Sequence, residues 1–109
     1  MADLASKKCG PCEGDTPALD KSKVNELLGQ LDGWGVEKEY HLVRSFSFPD
    51  FKSARAFVNR VGELAEAEGH HPNIYLAWGL VKIELWTHAI KGLSENDFIL
   101  AAKIDKLRR

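Results

Sequence analysis

The segment Glu66-Ala67-Glu68-Gly69-His70-His71-Pro72 marks the point at which a helical pattern stops and an extended pattern begins. Before it, apolar residues recur at steps of three or four, the spacing of one helix face: Phe51, Ala54, Val58, Val61 and Leu64. Gly69 is the residue type that most often ends a helix, because glycine adopts a positive φ without a Cβ clash. Pro72 restricts His71 to extended geometry, so we expect a stiff connector leading into a strand.

Three of the four histidines fall at or soon after this segment. His70 and His71 lie on the connector itself, and His88 ends the apolar hairpin that follows. Adjacent residues on an extended chain point to opposite sides, so we expect one of the paired imidazoles to face a pocket and the other to face packing or a hydrogen-bond partner. Three imidazoles near the carboxylate of Glu66 indicate general acid–base chemistry, because imidazole exchanges protons near neutral pH.

On both sides of this segment, the pattern predicts seven elements joined by short turns. They are a helix from 20 to 32, strands at 34–40 and 41–48, a helix from 50 to 68, strands at 73–78 and 80–88, and a last helix from 94. Asp20 and Asp50 are good N-cap residues for the first two helices. Ser94 and Asp97 have the spacing of a capping box for the third, and that role is sufficient to explain Asp97.

Strands joined by such short connections must pair antiparallel. The sequence therefore predicts an α+β domain: a four-stranded antiparallel sheet with three helices mainly on one face, in the order α-β-β-α-β-β-α. Arg44 interrupts the apolar face of the second strand. An arginine there either extends its head to the sheet edge, which is the commoner arrangement, or meets a carboxylate. His41, at a polar strand position, is interpreted as a surface residue.

Length and composition limit the class of protein. The 109 residues allow one domain, placed at 19–109 and preceded by a flexible arm at 1–18. A net charge of −1 gives no basic surface for nucleic acid. No apolar run approaches the roughly 20 residues that span a bilayer, and 1–8 lack the apolar core of a secretory signal. We expect a soluble, cytoplasmic protein whose small core and open sheet edges favour a homodimer or homotetramer.

The arm contains the chain's two cysteines, in Cys9-Gly10-Pro11-Cys12. This tetrapeptide is typical of thioredoxin-like sites, which follow a buried strand and open a helix. Both flanks here are typical of loops, so the favoured interpretation is an exposed arm with two free thiols. A metal half-site or a redox role stays open, although one such pair supplies two of the four ligands of a structural zinc.

Glu66 lies in the last turn of its predicted helix, where the helix dipole mildly disfavours a carboxylate. A cationic partner, such as His70 or Arg44, would offset that effect. His70, His88 and Glu66 could together form a two-histidine, one-carboxylate metal site, but their spacing is not typical of one. We therefore predict no metal.

The spaced set of residues resembles the pterin-4a-carbinolamine dehydratase family over about 19–105. The matching residues downstream are Glu66, His70-His71-Pro72, Trp78, Thr87-His88, Gly92-Leu93-Ser94 and Asp97; upstream they are Gly33-Trp34, Arg44, Phe46, Phe48, Phe51, Ala54 and Phe57. The family's fold has the same order of helices and strands as the one predicted above. Animal members carry aspartate, tryptophan and serine where this chain has Gly69, Ile74 and Trp86.

The resemblance implies a carbon–oxygen lyase that dehydrates 4a-hydroxytetrahydrobiopterin to quinonoid dihydrobiopterin, in tetrahydrobiopterin recycling, without metal or cofactor. It implies catalytic roles for His70, His71, His88 and Glu66. Substrate contacts would come from Gly69, His70, His71, Pro72, Trp86, Thr87, His88 and Ala89. The alternative is a non-catalytic member of the same fold, since such domains also serve as assembly chaperones of a large plastid enzyme or as companions of molybdopterin enzymes.

Overall fold

The computed structural model describes Leu4 and residues 18–31, 33–38 and 40–108. Within them, three helices and four strands follow one another along the chain. They are α1 Lys21–Leu28, β1 Gly35–Glu37, β2 His41–Ser47, α2 Phe51–Glu68, β3 Asn73–Ala77, β4 Leu80–Leu85 and α3 Glu95–Arg108. A 3₁₀ turn, His88–Ile90, lies between β4 and α3. The predicted order α-β-β-α-β-β-α is confirmed.

The four strands form one sheet in the order β1-β2-β4-β3, and every neighbouring pair is antiparallel. β2 and β4 are the central strands and pair from Leu42 opposite Leu85 to Ser47 opposite Leu80. This arrangement brings the start of β2 and the end of β4 to the same end of the sheet. The connector from α2 enters β3 at that end, because Asn73 lies opposite Glu84.

Alternate residues of the central strands point to the helices and form the core. The fully buried members include Leu42, Val81, Ile83 and Leu85 from the sheet, Phe57 and Val61 from α2, and Phe98, Leu100 and Ile104 from α3. Burying a side chain of this size contributes roughly 1.5–3 kcal/mol to stability. The core therefore fixes α2 and α3 against one face of the sheet, as the α+β prediction requires.

Both predicted aspartate N-caps are confirmed. Asp20 accepts a hydrogen bond from the Lys23 backbone N–H at 2.8 Å, and Asp50 accepts one from the Ser53 N–H at 2.7 Å. The predicted end of α2 is also correct: Gly69 takes a left-handed conformation with φ 65°, and its N–H bonds back into the last turn.

Several helices and strands are shorter than predicted. α1 ends at Leu28 rather than near 32, and β1 covers Gly35–Glu37 rather than 34–40. β4 ends at Leu85 rather than at position 88, because Thr87 pairs instead with Gly92 and closes a small turn. Trp34 leaves the β1 strand pattern because its indole is buried and Nε1–H donates to Asp105 Oδ1 at 2.9 Å. β2 and β3 each end one residue earlier than predicted.

Arg44 points to the helix side of the sheet, opposite Ile83. Its Nη1 donates to Asp105 Oδ1 at 2.7 Å, and its guanidinium lies 4.5 Å from the Phe46 ring centre. The carboxylate alternative is therefore the correct one, rather than the commoner extension to the sheet edge. Gly33 has a φ of 79°, and a Cβ added there would lie 2.9 Å from Arg44 Nε, so the backbone conformation and the arginine both favour glycine.

Cys9 and Cys12 lie outside the described residues, so the interpretation of the arm stays a prediction. Leu4, described within that stretch, is buried and belongs to the core cluster. No helix in the described part of the chain is long and apolar enough to cross a membrane.

Candidate active site

His70 lies immediately after the left-handed Gly69, and its backbone N–H still bonds to Ala65 O of α2. This turn directs the imidazole to the start of α3. Nε2 lies 2.6 Å from Oδ1 of Asp97, a fully buried carboxylate, and the His70 side chain is itself 12% exposed. A short, sheltered histidine–carboxylate contact is the arrangement that fixes both the tautomer and the orientation of an imidazole.

Asp97 is held from its other side by two donors. Thr87 Oγ1–H and the Ser94 backbone N–H each donate to Oδ2 at 2.9 Å, and Thr87 Oγ1 also lies 2.8 Å from Ser94 Oγ. With Asp97 ionised, its carboxylate can only accept hydrogen bonds, so in that state Nε2 of His70 donates to Oδ1. Nδ1 of His70 is then the ring atom through which a proton can be exchanged with a substrate.

Asp97 was therefore underestimated by sequence reasoning. The capping-box role is present, because its carboxylate accepts from the N–H of Ser94 three residues earlier. The same carboxylate also binds His70. The spacing of Ser94 and Asp97 gave the first contact, whereas the second depends on α3 packing beside the end of α2 and has no local signal in the sequence.

His71 has a different environment, as expected for its position next to His70. Its Nε2 lies 2.7 Å from Glu66 Oε2, and the two side chains are 61% and 79% exposed. Glu66 thus contacts His71, rather than His70 or Arg44 as expected. An exposed pair of this kind contributes little to stability.

His88 begins the 3₁₀ turn and is exposed, as is Ala89 beside it. Because the preceding Thr87 binds Asp97, the backbone brings His88 to the same end of the molecule as His70. Its ring packs on the indole of Trp86, with ring centres 4.4 Å apart and planes 34° apart. Among the described residues, the His88 side chain makes no hydrogen bond or ion pair.

His41 is not the simple surface residue that the sequence suggested. Its ring is half-buried and stacks on Trp86 at 3.9 Å with an interplanar angle of 5°, while Tyr40 meets it edge-on at 5.0 Å. The rings of Tyr40, His41, Trp86 and His88 form a row that we call the aromatic row.

The three histidines thus have three kinds of support: a buried carboxylate for His70, an exposed carboxylate for His71 and an indole for His88. The remaining predicted contact residues border them. Pro72 is half-buried on the connector, and Gly69 has open space where a Cβ would lie. No three His, Cys, Asp or Glu side chains within the described ranges are grouped so as to hold a metal ion.

A cavity of about 350 Å³ lies between α1 and the turn that follows His88. It is mainly apolar and includes Tyr40, Lys91 and Leu93 in its lining, but none of the three histidines. The candidate active site is therefore the open surface around the histidines, not this cavity.

The fold and the site together define a class: a small α+β domain that presents a carboxylate-bound histidine at one end of its sheet. The pterin 4 alpha carbinolamine dehydratase family model matches residues 17–107. This chain belongs to that family.

Relatives match over nearly their full length. A protein of Rubrobacter xylanophilus, provisionally named a pterin-4-alpha-carbinolamine dehydratase, is 51% identical over 107 residues, covering 98% of this chain and 100% of the relative. One from Alkaliphilus metalliredigens, with the same provisional name, is 50% identical and covers 97% and 96%.

Similar solved structures include two pterin dehydratase-related proteins. The Brucella melitensis transcriptional coactivator/pterin dehydratase has a TM-score of 0.78 at 36% identity, over 83% of this chain and 97% of that one. A pterin dehydratase-like protein identified as a RuBisCO assembly factor in the alpha-carboxysome has a TM-score of 0.60 at 31% identity, over 69% and 88%.

Proposed function

We propose that this protein dehydrates 4a-hydroxytetrahydrobiopterin to quinonoid dihydrobiopterin and water by histidine acid–base catalysis. The observation that carries the proposal is the His70–Asp97 contact, in which a buried carboxylate fixes the imidazole and leaves one ring nitrogen for proton exchange. Membership of the pterin 4 alpha carbinolamine dehydratase family supplies the substrate class.

The reaction needs two proton transfers. The C4a–O bond breaks, and because hydroxide is a poor leaving group, a general acid must protonate it so that it leaves as water. A base then removes the N5 proton as the C4a–N5 double bond forms. One proton is given to the leaving hydroxyl and one is taken from N5, so the reaction is balanced without an oxidant, a reductant or a further reactant. A group with a reference pKa of about 6.5 can perform either step near neutral pH.

We assign roles to the three histidines from the resemblance to the family. His70 and His88 are assigned to the proton transfers. His71, exposed and oriented by Glu66, is assigned to holding the pterin. Backbone groups at 69–71 and 86–89 would meet the pterin edge.

The test is stopped-flow dehydration of synthetic 4a-hydroxytetrahydropterin. His70→Ala and His88→Ala should each lower kcat by about 10- to 10⁴-fold, the contribution of a positioned acid or base. The double variant should lose less than the product of the two losses, because groups that act as one unit are not additive. Full activity in the double variant would remove the catalytic assignment.

His71→Ala should instead raise KM more than it lowers kcat. Glu66→Gln should show the same pattern more weakly, since it removes the charge that orients His71. Glu63→Gln is the matched control: it changes an exposed carboxylate one turn earlier on α2 and should leave both constants unchanged.

A second candidate is a non-catalytic assembly or binding role, favoured by the likeness to the RuBisCO assembly factor. This role would be supported if the wild-type protein showed a thermal unfolding transition, and was therefore folded, but did not dehydrate the pterin. The Brucella structure, with the higher TM-score and identity, favours the dehydratase.

A further inference from the structure

His88 is the least restrained of the three histidines. His70 and His71 each bind a carboxylate, whereas the described contact of the His88 ring is with Trp86. An exposed imidazole can rotate away from a reacting atom, and catalysis is sensitive to displacements of about 1 Å. Something must therefore fix the position of this ring.

The sheet register explains why Trp86 is available for that task. β2 and β4 pair with Leu42 opposite Leu85, so continuing the register by one step sets His41 opposite Trp86. Directly opposed residues of an antiparallel pair bring their side chains together on one face. The nearly parallel stack of the two rings follows from this position.

The stack also restrains His41. Its Nδ1 is buried and has no hydrogen-bond partner among the described residues, so no bond through that atom fixes the ring. Tyr40 meets one side of His41 edge-on and Trp86 stacks on it. Aromatic packing therefore orients this imidazole, and the imidazole in turn restrains the indole of Trp86.

We propose that His41 and Trp86 are positioning residues for His88, with His41 backing the indole against which the His88 ring rests. The proposal rests on the proposed function, because it requires His88 to take part in proton transfer. It assigns to His41 a part in the site although it lies outside the segment and hairpin that supply the three histidines.

Kinetics separate positioning from substrate contact. His41→Ala should lower kcat by about 2- to 10-fold, the fold-change that corresponds to one aromatic pair, with KM unchanged. Trp86→Ala should lower kcat at least as much. His41→Phe and Trp86→Phe keep a stacking ring and should stay within about twofold of wild type, by the same reasoning.

Three results would overturn the proposal: wild-type kcat in His41→Ala, an equal loss in His41→Phe and His41→Ala, or a loss confined to KM. Trp78→Ala is the control, because Trp78 is an exposed tryptophan at the opposite end of the β3–β4 hairpin and should leave kcat unchanged.

A spectroscopic measurement tests the contact without turnover. The ring protons of His88, assigned in the NMR spectrum by their loss in His88→Ala, should carry a ring-current shift from the indole. Trp86→Ala should abolish that shift, His41→Ala should reduce it and Trp78→Ala should leave it. Unchanged His88 signals in Trp86→Ala would show that the indole does not hold the ring. If wild-type protein does not dehydrate the pterin, the proposed function fails, and the ring-current shift still decides whether the row positions His88.

Discussion

Asp97 is the residue on which most of the described site depends. Its two carboxylate oxygens meet His70 on one side, and Thr87 and the Ser94 N–H on the other. Every donor comes from a different part of the chain: the connector after α2, the end of the hairpin and the start of α3. One buried carboxylate thereby joins the connector after α2 to the segment between β4 and α3.

We expect Asp97→Asn to lower both stability and turnover. An amide offers one acceptor oxygen where the carboxylate offers two, so one buried donor is left unpaired at about 1–3 kcal/mol. The His70 ring also loses the charge that fixes its tautomer, and kcat should fall at least tenfold. Thermal unfolding and stopped-flow dehydration measure the two effects.

Thr87→Val is the comparison for that prediction. It removes one donor to Oδ2 but leaves the His70 contact in place. It should lower Tm with a smaller effect on kcat. If Thr87→Val lowers kcat as much as Asp97→Asn does, the His70 contact is not the cause of the fall in kcat.

Single residues were predicted well where the signal is local. Gly69 and Pro72 carry their backbone preferences in their own chemistry, and both N-cap aspartates precede helices with regular apolar spacing. The partners of His70 and Arg44 were not predictable in this way, because these contacts join segments 27 and 61 residues apart whose relative placement is set by packing of the core. The partner of His71 is only five residues away, and it was missed because Glu66 was expected to meet His70 or Arg44 instead.

α2 is the element that positions the paired histidines, and its two ends are fixed differently. Gly69 ends it through a left-handed turn, and Asp50 begins it through a side-chain bond to the Ser53 N–H. At its last turn, Glu68 Oε2 accepts from Lys103 Nζ of α3 at 2.9 Å, which ties the helix to the one that carries Asp97.

The Asp50 cap makes the stability of α2 depend on pH. The hydrogen bond from the Ser53 backbone holds the pKa of Asp50 below its ordinary value of 3.8. Because the folded pKa is lower than the unfolded one, this stabilisation is fully present above pH 3.8 and is lost as pH falls through the folded value. Asp50→Asn keeps a capping side chain but does not titrate.

Wild-type Tm should therefore fall more steeply than that of Asp50→Asn as pH is lowered below 3.8, and the curves should run parallel above that range. Thermal melts at matched ionic strength provide the measurement. Parallel curves through the acid range would exclude this contribution.

Elements were easier to predict than their limits. The helical and alternating periods identified all three helices and all four strands. β4 was extended to position 88 because its alternation continues through Trp86 and Thr87, whereas in the structure Thr87 bonds to Gly92 instead. This turn is local, and the alternation of the strand gives no signal that it begins at Thr87.

At the scale of the molecule, β3 is an edge strand whose Tyr75, Leu76 and Ala77 are exposed. An unpaired edge with apolar side chains favours pairing with another copy. We expect light scattering to give at least a dimer mass at micromolar concentration. Leu76→Lys should shift the mass to the monomer if the sheet edge forms the contact. Ala56 is exposed on α2, and Ala56→Glu should have this effect if α2 forms the contact.

A monomer mass for the wild-type chain across micromolar concentrations would contradict self-association. Loss of the oligomer in one variant but not the other would assign the contact to the sheet or to α2.

The Cys9–Cys12 arm provides the last prediction. If its thiols are free and exposed, Cys9→Ser combined with Cys12→Ser should change neither Tm nor the dehydration rate. Zinc in the purified wild-type protein, or a large fall in Tm of the double variant, would support a structural or metal role instead.

The double duty of Asp97 also affects how relatives should be compared. A descendant that abandoned dehydration would still need a carboxylate to begin α3, so drift should retain Asp97 long after the chemistry is gone. A side chain that donates a hydrogen bond to Oδ1 of Asp97 without exchanging a proton would satisfy the buried carboxylate equally well, so the imidazole of His70 could then be replaced. Among homologous sequences, we therefore expect the aspartate to be kept across the family and the imidazole facing it to be kept in the members that dehydrate the pterin.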